Sequence, residues 1–228
     1  MVFRNVLLGM ISRHASPTYY GVSFIFPSAF ILWYASADCE PQGTNNVVLL
    51  HLHTNPTALL LQWTLGLTYI LLRGIDFIRI VRYEVVHEEV RENCLSMMDA
   101  HGLEEIKQRI EQSKVVVVTC LGITSPLLSN KRFDVCIMDE AGQTTLPVSL
   151  GPLTFASKLV LVGDHYQLPP LVQSAEAREN GMAVSLFCRL SEAHPQAICA
   201  LQSQYRMCAA IMALSNALIY GNRLRCGS

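Results

Sequence analysis

Residues 133–140 read FDVCIMDE and residues 158–164 read KLVLVGD, two apolar runs that each end in acid. A run with no polar alternation suits a strand covered on both faces. VVVVTC at 115–120 is a third, β-branched almost throughout. IDFIRIVRYEVV (75–86) predicts a short strand leading into a polar segment, and Gln196–Leu201 a further strand. Helical pieces lie between. LEEIKQRIEQ (103–112) sets Leu103, Ile106 and Ile110 at i, i+3 and i+7, an amphipathic pattern. TTLPVSLGPLTFA (144–156) has the length of a helix, with Pro147 suited to its first turn and Gly151–Pro152 expected to break it. Met207–Leu218 repeats near 3.6 and predicts another helix. Apolar strands alternating with helices predict an α/β fold with a parallel sheet. Right-handed crossovers bring every strand's carboxyl end to one edge, where such sheets bind ligands. The DE and GD pairs are therefore expected side by side.

That edge has a chemistry. Asp139–Glu140 closes an apolar strand in the manner of a Walker B element, which needs two carboxylates with separate tasks. Asp139 would hold Mg²⁺ through its water shell between the β- and γ-phosphates, and Glu140 would polarise the attacking water as general base. An acid pair that merely opens a loop is the plainer alternative, and the next motif weighs against it. In GDHYQLPP (163–170), Gly163 permits an unusual backbone at the turn and Asp164 can bond the neighbouring strand edge. Gln167 can contact the γ-phosphate or the water, and Pro169–Pro170 stiffen the exit with an apolar surface. In QSQYRM (202–207), Arg206 offers a guanidinium suited to a terminal phosphate, and Tyr205 a ring on which a base can stack.

Together, VTCLGITSPLLSNKRFDVCIMDEAGQTTLPVSLGPL, VLVGDHYQLPPLV and LQSQYRMCAAIMALSNALIYGNRLRCGS resemble the superfamily-one motor of the eukaryotic DNA replication ATP-dependent helicase/nuclease family. The likeness runs from about Leu71 to Ser228. It includes filler such as CLGITSPLL and LGPL, beyond motifs shared with RNA-decay helicases of the Upf type. The resemblance implies a RecA-like sheet of the P-loop NTPase type, with ATP and Mg²⁺ as cofactors. Asp139 and Glu140 become motif II, and Gly163, Asp164 and Gln167 motif III. Tyr205 and Arg206 fall at the passage to a second RecA-like domain. It also implies catalytic roles for Glu140, Gln167 and Arg206, nucleotide binding by Asp139, Gly163, Asp164 and Tyr205, and strand contacts by Thr119 and Pro169. A structural hydrogen bond is an equal alternative for Thr119. The implied partners are single-stranded or flapped DNA, with RNA not excluded, and replication and repair proteins in the nucleus.

The departures are equally plain. The family's phosphate loop, GxxxxGK[ST], cradles phosphates with backbone N–H groups and a lysine. This sequence has no glycine–lysine dipeptide, its lysines being Lys107, Lys114, Lys131 and Lys158. The expectation is a sheet lacking its phosphate-loop unit, hence a truncated motor that is inactive alone. Val81 stands where relatives often carry glycine.

Composition sets the outer bounds. With 228 residues, 51% apolar and 15% charged, there is room for one domain with a sizeable core, or one plus an extension. A net charge of −1 shows none of the basic excess typical of nucleic-acid binders, although a motor binds strands in local grooves. Eight cysteines with no CxxC pair read as free thiols of a reducing compartment. Before Arg73 the only charged residues are Arg4, Arg13, Asp38 and Glu40. The chain thus divides into an apolar extension (1–72), a partial first RecA-like domain (73–204) and the start of a second (205–228). Tyr19–Ala35 is near the lower length for a spanning helix but holds Pro27. A membrane segment, a loosely packed extension and a segment foreign to the ancestral fold all stay open for residues 1–72. A non-catalytic remnant that binds nucleic acid or partners is the alternative to an enzyme, and an RNA helicase of the Upf type the alternative to a DNA helicase.

Overall fold

The computed structural model describes residues 7–12, 46–51, 76–80, 92–95, 102–204 and 207–227. The strands are β1 (Leu7–Ser12), β2 (Val47–His51), β3 (Phe77–Ile80), β4 (Val115–Thr119), β5 (Phe133–Met138), β6 (Ala156–Gly163) and β7 (Ile198–Ala200). They form one sheet in the order β3–β4–β2–β5–β6–β1–β7. From β3 to β6 every pairing is parallel. The α/β fold with a mostly parallel sheet is therefore as the apolar runs predict. β1 runs antiparallel to both its neighbours, β6 and β7.

Two of these strands come from the charge-poor region ahead of Arg73. β2 lies at the centre, with Val47 opposite both Val115 and Val135. Val47, Val48, Leu49 and Leu50 are all buried, as a central strand covered on both faces requires. A lack of charge marks a buried central strand as readily as an extension, so composition alone did not place β2. The run Tyr19–Ala35 lies outside the described residues, and no described helix is long and apolar enough to cross a membrane.

Helices α1 (Leu103–Gln112), α2 (Leu146–Leu153), α3 (Leu186–Ala193) and α4 (Ala209–Ser215) connect and cover the strands. One sheet face presents Val48, Leu50, Ile78, Val116, Val118, Cys136, Met138, Leu159 and Leu161 to a core closed by Ile110 of α1 and Leu186 and Phe187 of α3. Of the stripe predicted on α1, Ile110 is buried while Leu103 is 56% exposed. The helix leans on the sheet by its last turn. That turn is capped by Lys131, whose ammonium donates to the carbonyls of Ile110, Glu111 and Ser113.

Pro152 does not break α2, contrary to the sequence expectation. It lies inside the helix, which runs on to Leu153. In so short a helix the lost N–H falls in the final turn. Thr154 and Phe155 close the end with amide bonds to the Gly151 and Pro152 carbonyls, both 3.1 Å.

Beyond the main sheet, β8 (Ser203–Gln204) pairs in parallel with β9 (Arg225–Cys226). The crossover is α4, extended by a wider helical turn over Asn216–Tyr220. This is a small βαβ unit.

Candidate functional site

The carboxyl edge of the sheet brings the DE and GD motifs together on the adjacent strands β5 and β6. Asp139 follows β5 and its amide donates to the Leu50 carbonyl of β2 at 2.9 Å. Its side chain is buried, 4% exposed. Glu140 then leaves the strand in a left-handed conformation, φ 53° and ψ 34°. A residue with a side chain adopts that region at a cost, and such strain gathers at functional sites. The kink turns Glu140 away from the direction the pleat would give it. Its carboxylate accepts a bond from Gln143 Nε2 at 3.2 Å.

The loop after Glu140 is pressed against the end of β6. A Cβ on Gly163 would lie 2.9 Å from the Gly142 nitrogen, and one on Gly142 would lie 3.0 Å from the Asp164 carbonyl oxygen. Both glycines serve close approach of two backbones. Gly163 has no positive φ, so the turn needs it for close approach and not for the unusual backbone expected from the sequence.

Asp164 does not bond a neighbouring strand edge, as the sequence suggested. Its Oδ1 accepts from the Tyr166 amide at 2.9 Å, and its Oδ2 accepts from Gln167 Nε2 at 3.1 Å and from the Tyr220 hydroxyl at 2.8 Å. Two of the three donors belong to the carboxylate's own loop, over which the turn folds it back. Gln167 is thereby held at the edge, and Pro169 is exposed beyond it. Burial and the adjoining Asp164 push the Tyr220 phenol well above the usual tyrosine range.

Thr119 ends β4, with its Oγ1 accepting from the Gly122 amide at 3.0 Å. That is the structural hydrogen bond of the two alternatives, and it leaves the hydroxyl proton for another acceptor. Cys120 follows, its thiol raised to about 12 by burial, with the Asp139 carboxylate a lesser contribution. Tyr205 and Arg206 lie outside the described residues. They are bracketed by Gln204, whose side chain accepts from the Met207 amide at 2.6 Å and donates to the Met207 carbonyl at 2.9 Å. Sequence reasoning passed over Gln143, Gln204 and Tyr220. Gln143 and Gln204 stand inside quoted motifs, whereas nothing in the sequence around Tyr220 points 56 residues back to Asp164.

The donor set fits the metal side of Mg²⁺·ATP. Among the described residues no group of three or more His, Cys, Asp and Glu side chains can cage a metal. Mg²⁺ at a nucleotide site asks for less, one or two carboxylates with phosphates and water completing the shell. The phosphate-cradling side has no glycine–lysine loop in this sequence.

Two family models, each described as an AAA domain, match residues 82–175 and 182–228. The DNA replication ATP-dependent helicase/nuclease JHS1 of Arabidopsis thaliana is 72% identical over 156 residues. This chain belongs to the DNA replication ATP-dependent helicase/nuclease family. The DNA2 members of Xenopus laevis and Saccharomyces cerevisiae are 46% and 42% identical over 158 and 157 residues. These matches cover 68% of this chain and 12%, 15% and 10% of the three relatives. The first AAA-domain match spans the stretch that carries Asp139–Glu140 and Asp164–Gln167. The RecA-like assignment of the sheet stands with it.

Proposed function

We propose that this chain is motor sequence of an ATP-dependent DNA helicase acting in replication and repair in the nucleus. ATP hydrolysis would be coupled there to movement along single-stranded or flapped DNA. The observation that carries the reading is the interlock of the two loops at Gly142 and Gly163, which sets Asp139, Glu140 and Gln167 on one sheet edge.

Asp139 would anchor Mg²⁺, and bound Mg²⁺ supplies neutralisation of charge between the β- and γ-phosphates. Glu140, turned off the strand by its left-handed backbone, would take the proton of the attacking water. Gln167 and Arg206 would face the γ-phosphate, Tyr205 would stack on the base, and Thr119 and Pro169 would touch the strand. A second reading, a non-catalytic remnant that binds nucleic acid or partners, is favoured by the missing glycine–lysine loop. We expect this chain alone to show little turnover.

The test is a coupled ATPase assay with and without single-stranded DNA, using Asp139→Ala as the contamination control. The chain is compared with a version carrying a GxxxxGK[ST] segment upstream. DNA-stimulated turnover only in the latter, lost in Asp139→Ala, supports the motor reading. No turnover in either favours the remnant. Turnover of even about 1 s⁻¹ by the chain alone, a modest rate for an enzyme, would overturn the expected inactivity.

A further inference from the structure

We propose that Tyr220 is a positioning residue for Gln167, acting through Asp164, and that it ties the βαβ unit of residues 203–226 to the candidate phosphate-facing amide. What Gln167 does with its position rests on the ATPase reading; the tie itself does not.

The tie is built at one carboxylate. Asp164 is 6% exposed, and its two oxygens hold three donors, from Tyr166, Gln167 and Tyr220. A buried carboxylate is costly to hold away from water unless several donors reach it. The Tyr220 hydroxyl shares Oδ2 with Gln167 Nε2, and at 2.8 Å against 3.1 Å it is the closer partner. Without the hydroxyl, Asp164 keeps two donors, both from its own loop. The carboxylate is then free to turn, and Gln167 turns with it. Asp164 holds Gln167 by one N–H and the Tyr220 oxygen lies against the same side-chain amide, while the Gln167 carbonyl can meet a ligand.

Tyr220 is itself placed from the other side. Its ring is 5% exposed and meets Tyr166 edge-on, with ring centres 6.1 Å apart. It ends the helical turn that begins at Asn216, just before Gly221 takes a left-handed φ of 56°. Asn216 donates to the Leu224 carbonyl and accepts from the Leu224 amide, both at 2.9 Å, fixing the loop from Tyr220 into β9. β9 pairs with β8, and Gln204 of β8 holds the Met207 amide and carbonyl. A shift of this unit against the main sheet therefore carries the phenol with it and changes what Asp164 can offer Gln167. By linkage, a ligand that fixes Gln167 resists that shift.

The experiment uses NMR of the 228-residue chain with ¹⁵N-labelled glutamine and leucine, without nucleotide. In the unsubstituted chain we expect a slowly exchanging Tyr220 hydroxyl proton beside the Gln167 side-chain amide. We expect Tyr220→Phe to lower the protection of that amide tenfold or more, while the Leu224 amide keeps its own. An unchanged Gln167 amide overturns the proposal, as does its loss only together with Leu224, which leaves Tyr220 a merely structural part. Should Tyr220→Phe fail to fold, absence of the hydroxyl proton in the unsubstituted chain overturns it as well. Since no nucleotide is present, a chain that proves unable to bind ATP fails the motor reading without imitating failure here.

Discussion

Lys131 shows why a lysine count says little until each ammonium is placed. The sequence holds four lysines and none follows a glycine. Lys131 is engaged with three carbonyls at the end of α1, and burial lowers its pKa against a smaller pull from Glu111. Hydrogen bonds from a charged group contribute about 1.5–3 kcal/mol, of which water recovers part once the helix end is opened. Lys131→Met should therefore lower unfolding stability by about 1–2 kcal/mol in urea titrations; an unchanged midpoint would mean the carbonyls hydrate at no cost. The acid pair makes a different demand. In the chain supplied with a phosphate loop, Glu140→Gln should abolish turnover and keep ATP binding, because the amide cannot accept the water's proton. Asp139→Ala should weaken Mg²⁺-dependent binding too, having lost a metal anchor. Arg206→Ala in the same background should slow catalysis on the order of 10²-fold while sparing ADP affinity. A rate equal to that of the unsubstituted protein would leave Arg206 with a structural part only.

At the scale of elements, periodicity located whatever is apolar and regular, and contact decided the rest. VVVVTC, FDVCIMDE and KLVLVGD became β4, β5 and β6 because a fully apolar strand has no solvent face to betray a register error. Their acids then had to meet at one edge. The same logic applies to Val47–His51, but its neighbours are equally uncharged, so the strand did not stand out. β1 was illegible for a further reason: antiparallel entry obeys no crossover rule that sequence order can anticipate. The interlock of the two motif loops was half legible. Glycines stand in both motifs, but that each backbone fills the other's Cβ space is a fact of packing. It makes a paired prediction. Gly163→Ala puts a methyl 2.9 Å from a backbone nitrogen and should cost about 1–3 kcal/mol, with the Asp139–Glu140 turn displaced. Gly151→Ala in α2 meets nothing within 4 Å and should be neutral or stabilise by up to about 1 kcal/mol. Thermal melts that rank the two the other way would refute the interlock.

Across the whole molecule, burial of thiols sets a pH limit. Among the described residues Cys94, Cys120 and Cys136 are buried. Burial raises all three, Cys120 to about 12, with the Arg79 charge opposing the rise at Cys94 and the Cys120 thiol adding to it at Cys136. Tyr220 is raised by burial and by Asp164. An unfolded chain releases thiol protons near pH 8.5 and phenol protons near 10, so above those values it holds fewer protons than the folded protein. Groups whose folded pKa is raised contribute stability that is complete below the unfolded pKa and is lost as pH climbs toward the folded one. Lys131 runs the other way, since its lowered pKa favours the fold once the ammonium can discharge, as does Arg79, but these two stand against five raised groups once Cys188 is included. Stability should therefore stay level to about pH 8 and then fall, each withheld proton contributing a slope of about 1.4 kcal/mol per pH unit. Urea titrations between pH 7 and 11 measure it. Cys136→Ala should begin from a lower stability, because Cys136 is fully buried, yet decline less steeply by about one proton's share. Parallel curves for the two proteins would show that Cys136 ionises in the folded state at its ordinary pH, and that the sheet's core is open to water.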